Sequence, residues 1–545
     1  MQQRTDSENE INMIQKYTKR IINGSLQIND NKQLQNIALL SDFKINKLTI
    51  QNCYKVQPVL ANAHIRELNL VNCSVQNIDE LLIPNIEILN LSWNSELSSI
   101  QNTDQFQKLK ELNLSIGKFQ NIQFLQSMLQ LTTLNLKCNK ITDISVLSSL
   151  QNLKILDISQ NEHIDITPVQ LMVQLTHLNI SYNIIPNIQI INTLLNLIEL
   201  DISVCKGVKD YQFEKLNQLK ALTAKQLYYK NQNFLNHLSN LQELDFSYNT
   251  KIDYPIHKLL QLTKLILSQN KIYNISELSS LINLEYLDLS YNKIIEFTPI
   301  NKMINLKYLN LSSSNIQTMP ALHNLKHLEE LVISYNPKID ISSLQFLVQL
   351  VKLESNCNNL KDIQVLKFLI NLQDLNLSGN YSINITPLQY LTKLTKLQLQ
   401  DCCIYDIQAL IPLRNLEQLD LYNNHLTFIT PLKHMRNLIN LELNFNKISD
   451  FETILQNPFI DQFQYALQNQ PAIQQLQQSK VMQVIYLTIT KLVEINIKNI
   501  TMKKFENQLN KYIKNVIQKQ NIVSNSLITD VISLLQLLNN DETLQ

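Results

Sequence analysis

Tyrosine and aspartate residues recur together in this 545-residue sequence, inside a phrase that repeats almost unchanged. Tyr248, Tyr291 and Tyr335 each stand between a serine and an asparagine, and an aspartate precedes the first two tyrosines by three residues. Exposed aromatic side chains supply much of the binding energy at protein interfaces, and carboxylates attract basic segments. These residue types predict recognition of another molecule, and they require a scaffold that repeats with the same period.

Residues that commonly catalyse reactions are scattered along the chain. The nine histidines form no HExxH motif, and no GxSxG turn presents a nucleophilic serine. Only four glycines occur, and neither GxGxxG nor GxxxxGKS/T is present, so no loop is predicted to wrap the phosphates of a nucleotide. We therefore expect no enzyme activity, no catalytic residues and no cofactor.

The charge balance and the hydropathy pattern narrow the class of partner. Lys and Arg total 47 against 46 Asp and Glu, so the net charge of +1 provides no field that would gather nucleic acid or an anionic membrane. The segment MQQRTDSENE at the amino terminus lacks the apolar core of a signal peptide. No run of about 20 apolar residues is free of charge. These features predict a cytoplasmic protein that binds no nucleic acid and has no transmembrane segment.

The scaffold that would position the tyrosines is a repeat of about 22 residues with the pattern LxxLxLxxN. Its first apolar residue recurs in steps of 20 to 23 residues at Ile45, Ile65, Ile86, Leu109, Leu131, Leu153, Leu175, Leu197, Leu219, Leu241, Leu262, Leu284, Leu306, Leu328, Leu350, Leu372, Leu394, Leu416 and Leu438. These are 19 repeats, and the stretch SLQINDN from Ser25 predicts a partial first coil. Because LxL is a short strand and one coil cannot bury its own apolar face, stacked coils are expected to share a core.

Residues from about Asn23 to Gln456 resemble leucine-rich repeats. The 22-residue form with IxDI and ITPL segments is similar to the repeat-type regulatory subunit of protein phosphatase 1 and to the repeat region of bacterial internalins. The resemblance implies an α/β solenoid, a right-handed arc with a parallel β-sheet on its concave side. Thr-Pro pairs such as Thr298-Pro299 follow the IxDI segment, and the fixed φ of proline predicts short 3₁₀ or irregular segments on the convex side.

The ninth position of the repeat is predicted to satisfy buried backbone groups where the chain leaves the strand. An amide both donates and accepts hydrogen bonds, so asparagine suits this role. Twelve repeats have it: Asn94, Asn139, Asn161, Asn183, Asn249, Asn270, Asn292, Asn336, Asn358, Asn380, Asn424 and Asn446. Cys53, Cys73, Cys205 and Cys402 take the same position, so we interpret them as ladder residues and predict no metal site. Seven scattered cysteines suit reduced thiols in a cytosol.

Two flanking regions complete the predicted domain organisation. Residues 1–22 carry a capping-box pattern, Ser7 with Glu10, ahead of apolar residues at helical spacing, which predicts a helical cap. Residues 23–456 form the predicted solenoid. In residues 457–545 the apolar stripe of Phe505, Leu509 and Tyr512 predicts a further helical region.

The inner face of the sheet is predicted to carry the binding site, because positions two, three, five, seven and eight are free of the core. Acids follow the fifth column at Asp157, Asp201, Asp245, Asp288, Glu354, Asp420 and Glu442, which favours a basic partner segment. An apolar and aromatic patch is predicted within this face, at Tyr248, Ile266, Tyr286, Asp288, Tyr291, Tyr308, Val332 and Tyr335. The alternative is that the tyrosines belong to the repeat consensus, since Tyr182 recurs outside the patch.

The function that these features predict is a non-catalytic scaffold that binds a protein partner on its concave face. Two alternatives follow from the resemblance. A regulatory subunit of a protein phosphatase would share the compartment and the fold, while a cell-surface adhesion protein of internalin type would need a route of secretion. No partner-binding motif of either family can be placed on individual residues of this sequence.

Overall fold

Each repeat of the sequence forms one coil, and each coil contributes one short parallel strand. The structure is a computed structural model that describes residues 16–208, 213–227, 233–249, 256–317, 319 and 322–448. The fourth residue of every repeat lies within its strand and is buried, while the residues on either side reach the solvent face. This alternation follows from the pleat of a strand, and it confirms the leucine pattern as the core of the protein.

The chain divides into two compact units, Met1–Asn358 and Asn359–Gln545. In the first unit the strands are β1 (Ser25–Asn29), β2 (Lys47–Gln51), β3 (Leu60–Ala61), β4 (Glu67–Val71), β5 (Leu81–Leu82), β6 (Ile88–Asn90), β7 (Glu111–Asn113), β8 (Thr133–Asn135), β9 (Ile155–Asp157), β10 (His177–Asn179), β11 (Glu199–Asp201), β12 (Ala221–Thr223), β13 (Glu243–Asp245), β14 (Lys264–Ile266), β15 (Tyr286–Asp288), β16 (Tyr308–Asn310), β17 (Glu330–Val332) and β18 (Lys352–Glu354). The second unit has β19 (Asp374–Asn376), β20 (Lys396–Gln398), β21 (Gln418–Asp420) and β22 (Asn440–Glu442).

Strands pair in parallel with the strand of the next coil, and the register joins equal positions of the repeat. In the first unit Tyr286 lies opposite Tyr308, and β1 pairs with β2 over five residues, so the predicted partial coil is a complete strand. In the second unit β19 to β22 pair in the same way. A short second sheet, β3 with β5, lies outside this series. Because the register is fixed, columns in the aligned sequence are columns on the surface.

The return path of most coils contains a 3₁₀ helix, as predicted. In the first unit these are Ala38–Leu40, Asp104–Phe106, Gln123–Ser127, Ser145–Ser149, Thr167–Leu171, Ile188–Thr193, Asn233–His237, Ile256–Lys258, Ser276–Ser280, Thr298–Lys302 and Ser342–Phe346. In the second they are Gln364–Phe368, Thr386–Tyr390, Gln408–Leu410 and Thr430–His434. Each predicted Thr-Pro pair begins one of these helices, where proline needs no amide partner.

The asparagine at the ninth position is buried in all twelve predicted repeats and holds the backbone of two coils. Asn292 shows the full pattern. Its Nδ2 donates to the carbonyls of Leu289 and Ser290 in its own coil, at 2.9 and 3.2 Å, and to Leu267 of the preceding coil at 2.9 Å. Its Oδ1 accepts from the amides of Asn270 and Ile272, at 3.1 and 2.9 Å. One side chain therefore satisfies five backbone groups in an apolar interior, as the sequence predicted.

The four predicted ladder cysteines occupy the same buried position and perform part of the same task. Cys73 Sγ donates to the carbonyls of Ile50 and Val71, both at 3.3 Å, and Cys402 Sγ donates to Leu377 at 3.3 Å. Burial raises the pKa of Cys73 to about 11 and that of Cys402 to about 12, so the thiols keep the proton that they donate. Their prediction as ladder residues is confirmed.

A second use of asparagine, which the sequence analysis missed, lies just before the first leucine of the coil. Asn283 Nδ2 donates to the carbonyl of Leu260 in the preceding coil at 3.0 Å, and Asn305 Nδ2 donates to Ile282 at 3.2 Å. The same contact occurs at Asn85, Asn152, Asn196, Asn240, Asn415 and Asn437. The recurrent Asn-Leu dipeptide was the available signal. It links consecutive coils at the edge where the strands begin.

Two predicted regions lie partly or entirely outside the described residues. The amino-terminal cap, residues 1–22, is described only from residue 16, and residues 16–18 are helical. The predicted helical region, residues 457–545, lies entirely outside the described part, as do the last residues of the predicted solenoid.

Replacing Asn292 with Leu should lower the free energy of unfolding by about 1 to 3 kcal/mol, because buried backbone groups lose their partners. Replacing it with Cys, which the chain uses at this position, should cost less, because the thiol still donates to a carbonyl. Urea denaturation followed by circular dichroism measures both. Equal stability of the leucine variant and the wild type would contradict the role assigned to the amide.

Candidate functional site

Two stacked tyrosines lie at the centre of the predicted patch. Tyr286 and Tyr308 occupy the third position of neighbouring coils, and their ring centroids are 4.1 Å apart with an interplanar angle of 2°. Both side chains are half-buried, and burial raises the pKa of the Tyr308 hydroxyl. With Ile266, Asp288 and Val332 of the fifth column, they form what we term the strand row of the tyrosine patch. The rings therefore present a pre-arranged aromatic surface.

Charged side chains continue the column on both sides of the stacked rings. Lys264 Nζ lies 5.8 Å from the Tyr286 ring centroid, within the range of a cation–π contact, and 3.1 Å from Glu243 Oε2. Beyond Tyr308 the column continues with Glu330 and Lys352, whose charged groups are 3.7 Å apart. The sequence analysis did not assign Lys264 to the patch, although it directly precedes Tyr286 in the third column.

The other three tyrosines form what we term the turn row: Tyr248, Tyr291 and Tyr335. They lie beyond the carboxyl ends of the strands, in a turn where the eighth residue of the coil has positive φ, at 62°, 56° and 59° respectively. About half of each side chain is exposed. A left-handed backbone favours Gly, Asn or Asp, and this chain has Asn at positions 52, 72 and 423 of the same column. The turn itself therefore does not select a tyrosine ring.

The turn row has polar neighbours in the intervening coils. Gln269 Nε2 lies 3.4 Å from the Tyr248 hydroxyl, and Ser313 separates Tyr291 from Tyr335. The adjacent Cys357 raises the pKa of Tyr335. Aromatic residues occupy the same turn position outside the patch at Trp93, Tyr182 and Phe445. Position eight is thus an exposed aromatic position in several coils, and alternation with polar residues distinguishes the turn row.

The structure corrects the assumption that positions five and seven are free for a partner. Serines of the seventh position, such as Ser247 and Ser290, are buried. The fifth residue accepts a hydrogen bond from the amide of the seventh, at 2.8 to 3.2 Å, in coils with Asn90, Asn113, Asn135, Asp157, Asn179, Asp201, Asp245, Asp288, Asn310, Asn376, Asp420 and Glu442. The acids of the fifth column therefore act first as hydrogen-bond acceptors for the turn, and Asn serves as well as Asp in this role.

Asp288 illustrates this correction within the patch. Its Oδ1 accepts from the Ser290 amide at 2.8 Å, and its Oδ2 accepts from Asn310 Nδ2 of the next coil at 3.1 Å. Ile266 and Val332 stand where other coils have this acceptor and supply none. At these two positions a half-buried aliphatic side chain replaces the local hydrogen-bond acceptor. The fold does not require that exchange, so it favours a binding role.

A second exposed apolar row lies at the opposite edge of the same coils. Leu260, Ile282 and Ile304 stand two residues before the first leucine of three consecutive repeats, and about half of each side chain is exposed. Each coil contributes a single aliphatic residue here. The row carries no aromatic residue and provides a natural reference surface for the tyrosine patch.

The part of the chain that is described contains no candidate metal site and no candidate membrane span. No group of three or more His, Cys, Asp or Glu residues there could hold a metal ion. No helix there is long and apolar enough to cross a membrane.

Comparison with known proteins agrees with this architecture. The family described as leucine-rich repeats (two copies) matches residues 129–170, 261–302, 304–347 and 392–434. The TLR13–ssRNA13 complex shares the fold at 19% identity and a TM-score of 0.55, covering 82% of this chain and 77% of the TLR13 chain. No curated protein sequence matches the chain.

Two internalins from Listeria monocytogenes are also similar. The inlF structure is 25% identical and covers 60% of this chain and 90% of its own, with a TM-score of 0.46. The functional domain of InlJ is 21% identical and covers 66% and 72%, with a TM-score of 0.44.

Short parallel strands, one per coil, joined by 3₁₀ segments over a shared leucine core define the class of solenoid repeat proteins. The asparagine ladder and the matched segments identify the stacked coils as leucine-rich repeats. Folds of this kind provide scaffolds for protein interaction, because many side chains outside the core are available to a partner.

Asp288→Asn should cost little stability, because the amide oxygen still accepts from the Ser290 amide and only the contact with Asn310 Nδ2 is lost. Asp288→Ala should cost about 0.5 to 2 kcal/mol, the range for loss of a comparable capping side chain. Thermal and urea unfolding of the two variants measure the difference. A large loss in the asparagine variant would show that the charge, rather than the acceptor, matters here.

Asp201→Asn should stabilise the protein at pH 7. Burial raises the pKa of Asp201 above its ordinary 3.8, and a carboxyl group with a raised folded-state pKa loses its stabilising contribution as pH rises through that pKa. The advantage of the uncharged amide should shrink as the pH falls and should vanish below the ordinary pKa of 3.8, where Asp201 becomes protonated in both states.

Asp143 provides a control of opposite sign, because hydrogen bonds from Ser145 lower its pKa. Asp143→Asn should therefore be less stable than the wild type at pH 7 and not at low pH. The midpoint of thermal unfolding across this pH range measures both variants. Parallel pH profiles for the two would contradict the assignment.

Proposed function

We propose that this protein is a non-catalytic scaffold that holds a protein partner on the solvent face of its sheet, at the tyrosine patch. The observation that carries the proposal is the combination of the stacked pair, Tyr286 and Tyr308, with Ile266 and Val332. The rings are pre-arranged, and the two aliphatic residues replace the side chains that the turn would use. Clustered aromatic and apolar side chains of this kind concentrate interface energy.

The proposed partner presents a basic segment. On the six coils from Leu241 to Leu350, the solvent-face positions carry seven acids and three lysines: Glu243, Asp245, Glu285, Asp288, Glu329, Glu330 and Glu354, against Lys264, Lys307 and Lys352. Several of these acids form ion pairs, as in Glu285 with Lys307 at 2.7 Å, but the solvent-face positions keep a net negative charge. Electrostatic complementarity then favours a cationic partner.

The compartment that we propose is the cytosol. Seven cysteines are free thiols, and the buried ones donate hydrogen bonds that a disulfide could not supply. Regulation of a phosphatase and adhesion at a cell surface stay predictions of the sequence resemblance, since no contact among the described residues favours either.

The triple variant Tyr248→Asn, Tyr291→Asn and Tyr335→Asn should lose more than about 2 kcal/mol of binding free energy for the partner and keep its fold. Asparagine is the matched replacement, because the chain tolerates it at this left-handed position. The control is Trp93→Asn with Tyr182→Asn, which removes aromatic rings from the same column outside the patch.

The partner for this measurement is obtained by photo-crosslinking. Benzoylphenylalanine placed at Ser313 lies between two tyrosines of the turn row, whereas the same residue at Ile282 lies on the opposite edge. We expect a protein crosslinked from Ser313 and not from Ile282, and its affinity is then measured by calorimetry. Equal affinity for the triple variant and the control would assign the tyrosines to the repeat consensus.

A further inference from the structure

The spacing of the turn row is set by backbone hydrogen bonds that continue past the strands. The amide of Tyr248 donates to the Ser268 carbonyl of the next coil at 2.9 Å, and the amides of Tyr291 and Tyr335 make the same contact at 2.8 and 2.9 Å. The intervening coils at Gln269 and Ser313 do so as well, at 3.0 and 2.9 Å. The eighth column is therefore part of the parallel ladder, and adjacent coils lie about 4.8 Å apart there.

A tyrosine in every second coil then repeats at roughly 9.6 Å, and the distance from Tyr248 to Tyr335 is roughly 19 Å. A polyproline II helix has three residues per turn and rises about 3.1 Å per residue, so equivalent side chains recur at about 9.3 Å and two turns span about 18.6 Å. The two periods differ by only a few tenths of an ångström per tyrosine. A chain in this conformation can therefore place one residue on each ring of the turn row.

Other regular conformations fit the same row less well. An α-helix returns to the same face after seven residues, which is about 10.5 Å. Two such steps are about 2 Å longer than the distance from Tyr248 to Tyr335. An extended strand presents the same face every second residue, at about 6.7 Å, which matches neither one coil nor two. Only the polyproline II period is commensurate with alternate coils.

The chemistry between the rings suits the same ligand. A polyproline II chain makes no internal hydrogen bonds, so its carbonyl groups need donors. Gln269 and Ser313 provide an amide and a hydroxyl at the coils between the tyrosines, and Gln269 Nε2 already lies 3.4 Å from the Tyr248 hydroxyl. Prolyl rings would pack on the half-exposed tyrosines while these groups bind the backbone. The acid surplus at the solvent-face positions of these coils favours arginine or lysine at the remaining positions of the ligand.

We propose that the turn row binds a proline-rich, basic segment of the partner in the polyproline II conformation, with one proline on each tyrosine at every third residue. This inference rests on the proposed function, since it names the chemistry of the partner at the same patch. It requires that binding depend on the period of the prolines and on the positive charge of the peptide.

The test uses the full chain and synthetic peptides labelled for fluorescence anisotropy. The probe is Pro-Arg-Ala-Pro-Arg-Ala-Pro-Arg, and the controls are a peptide of identical composition with the prolines at uneven intervals and a peptide with Glu in place of Arg. We expect the periodic probe to bind at least about tenfold more tightly than either control. The variant with Tyr248→Asn, Tyr291→Asn and Tyr335→Asn should bind it at least about tenfold more weakly, while Trp93→Asn with Tyr182→Asn should not.

Two results overturn the inference: equal binding of the periodic and uneven peptides, or unchanged binding by the turn-row variant. Crosslinking from Ser313 separates this failure from failure of the proposed function. If that position captures a partner whose binding the periodic peptide does not displace, the patch binds a segment of another conformation and only the present inference fails. If Ser313 captures nothing more than Ile282 does, both fail.

Discussion

Every coil of this protein turns its backbone through an apolar interior directly after the strand, and the polar groups of that turn need partners. The side-chain amide of the ninth-position asparagine supplies those partners. In Asn292 a single side chain satisfies five backbone groups belonging to two coils. Unpaired groups of this kind cost about 1 to 3 kcal/mol each, so the ladder is a condition for stacking rather than an addition to it. Cysteine serves where one thiol proton suffices, which in Cys73 is shared between the carbonyls of Ile50 and Val71.

Polar side chains also satisfy backbone groups at the other turns of the coil. Asp or Asn of the fifth position holds the turn after the strand, and residues such as Asp143 and Asp165 accept from the amides that begin the 3₁₀ helices, at 2.8 and 2.9 Å. Side chains do here what glycine-rich turns do in other proteins, which explains how so long a chain folds with four glycines. Most positions of the repeat are thereby committed to the fold.

Few positions of the repeat are left for a partner to bind. They are the positions that the fold does not use and the residues that depart from the repeat pattern. Positions two, three and eight remain open in each coil. Tyr286 and Tyr308 occupy the third, and the turn row occupies the eighth, where φ is positive and about half of each tyrosine is exposed. Ile266 and Val332 are departures, because they replace the acceptor that neighbouring coils retain. The proposed binding surface inherits the spacing of the sheet, so a partner with a matching period would gain from it.

The sequence by itself determined the coil, its core and its ladder, because these depend on a periodic pattern that is complete within about 22 residues and repeats many times. Even the imperfect stretch at Ser25 forms the strand that its pattern predicts. Only the tertiary structure decided that Ser290 is buried, that the Asp288 carboxylate holds a turn and that two tyrosine rings stack. Those outcomes depend on backbone dihedral angles and on neighbours one coil away, and a one-dimensional pattern of residue types contains neither.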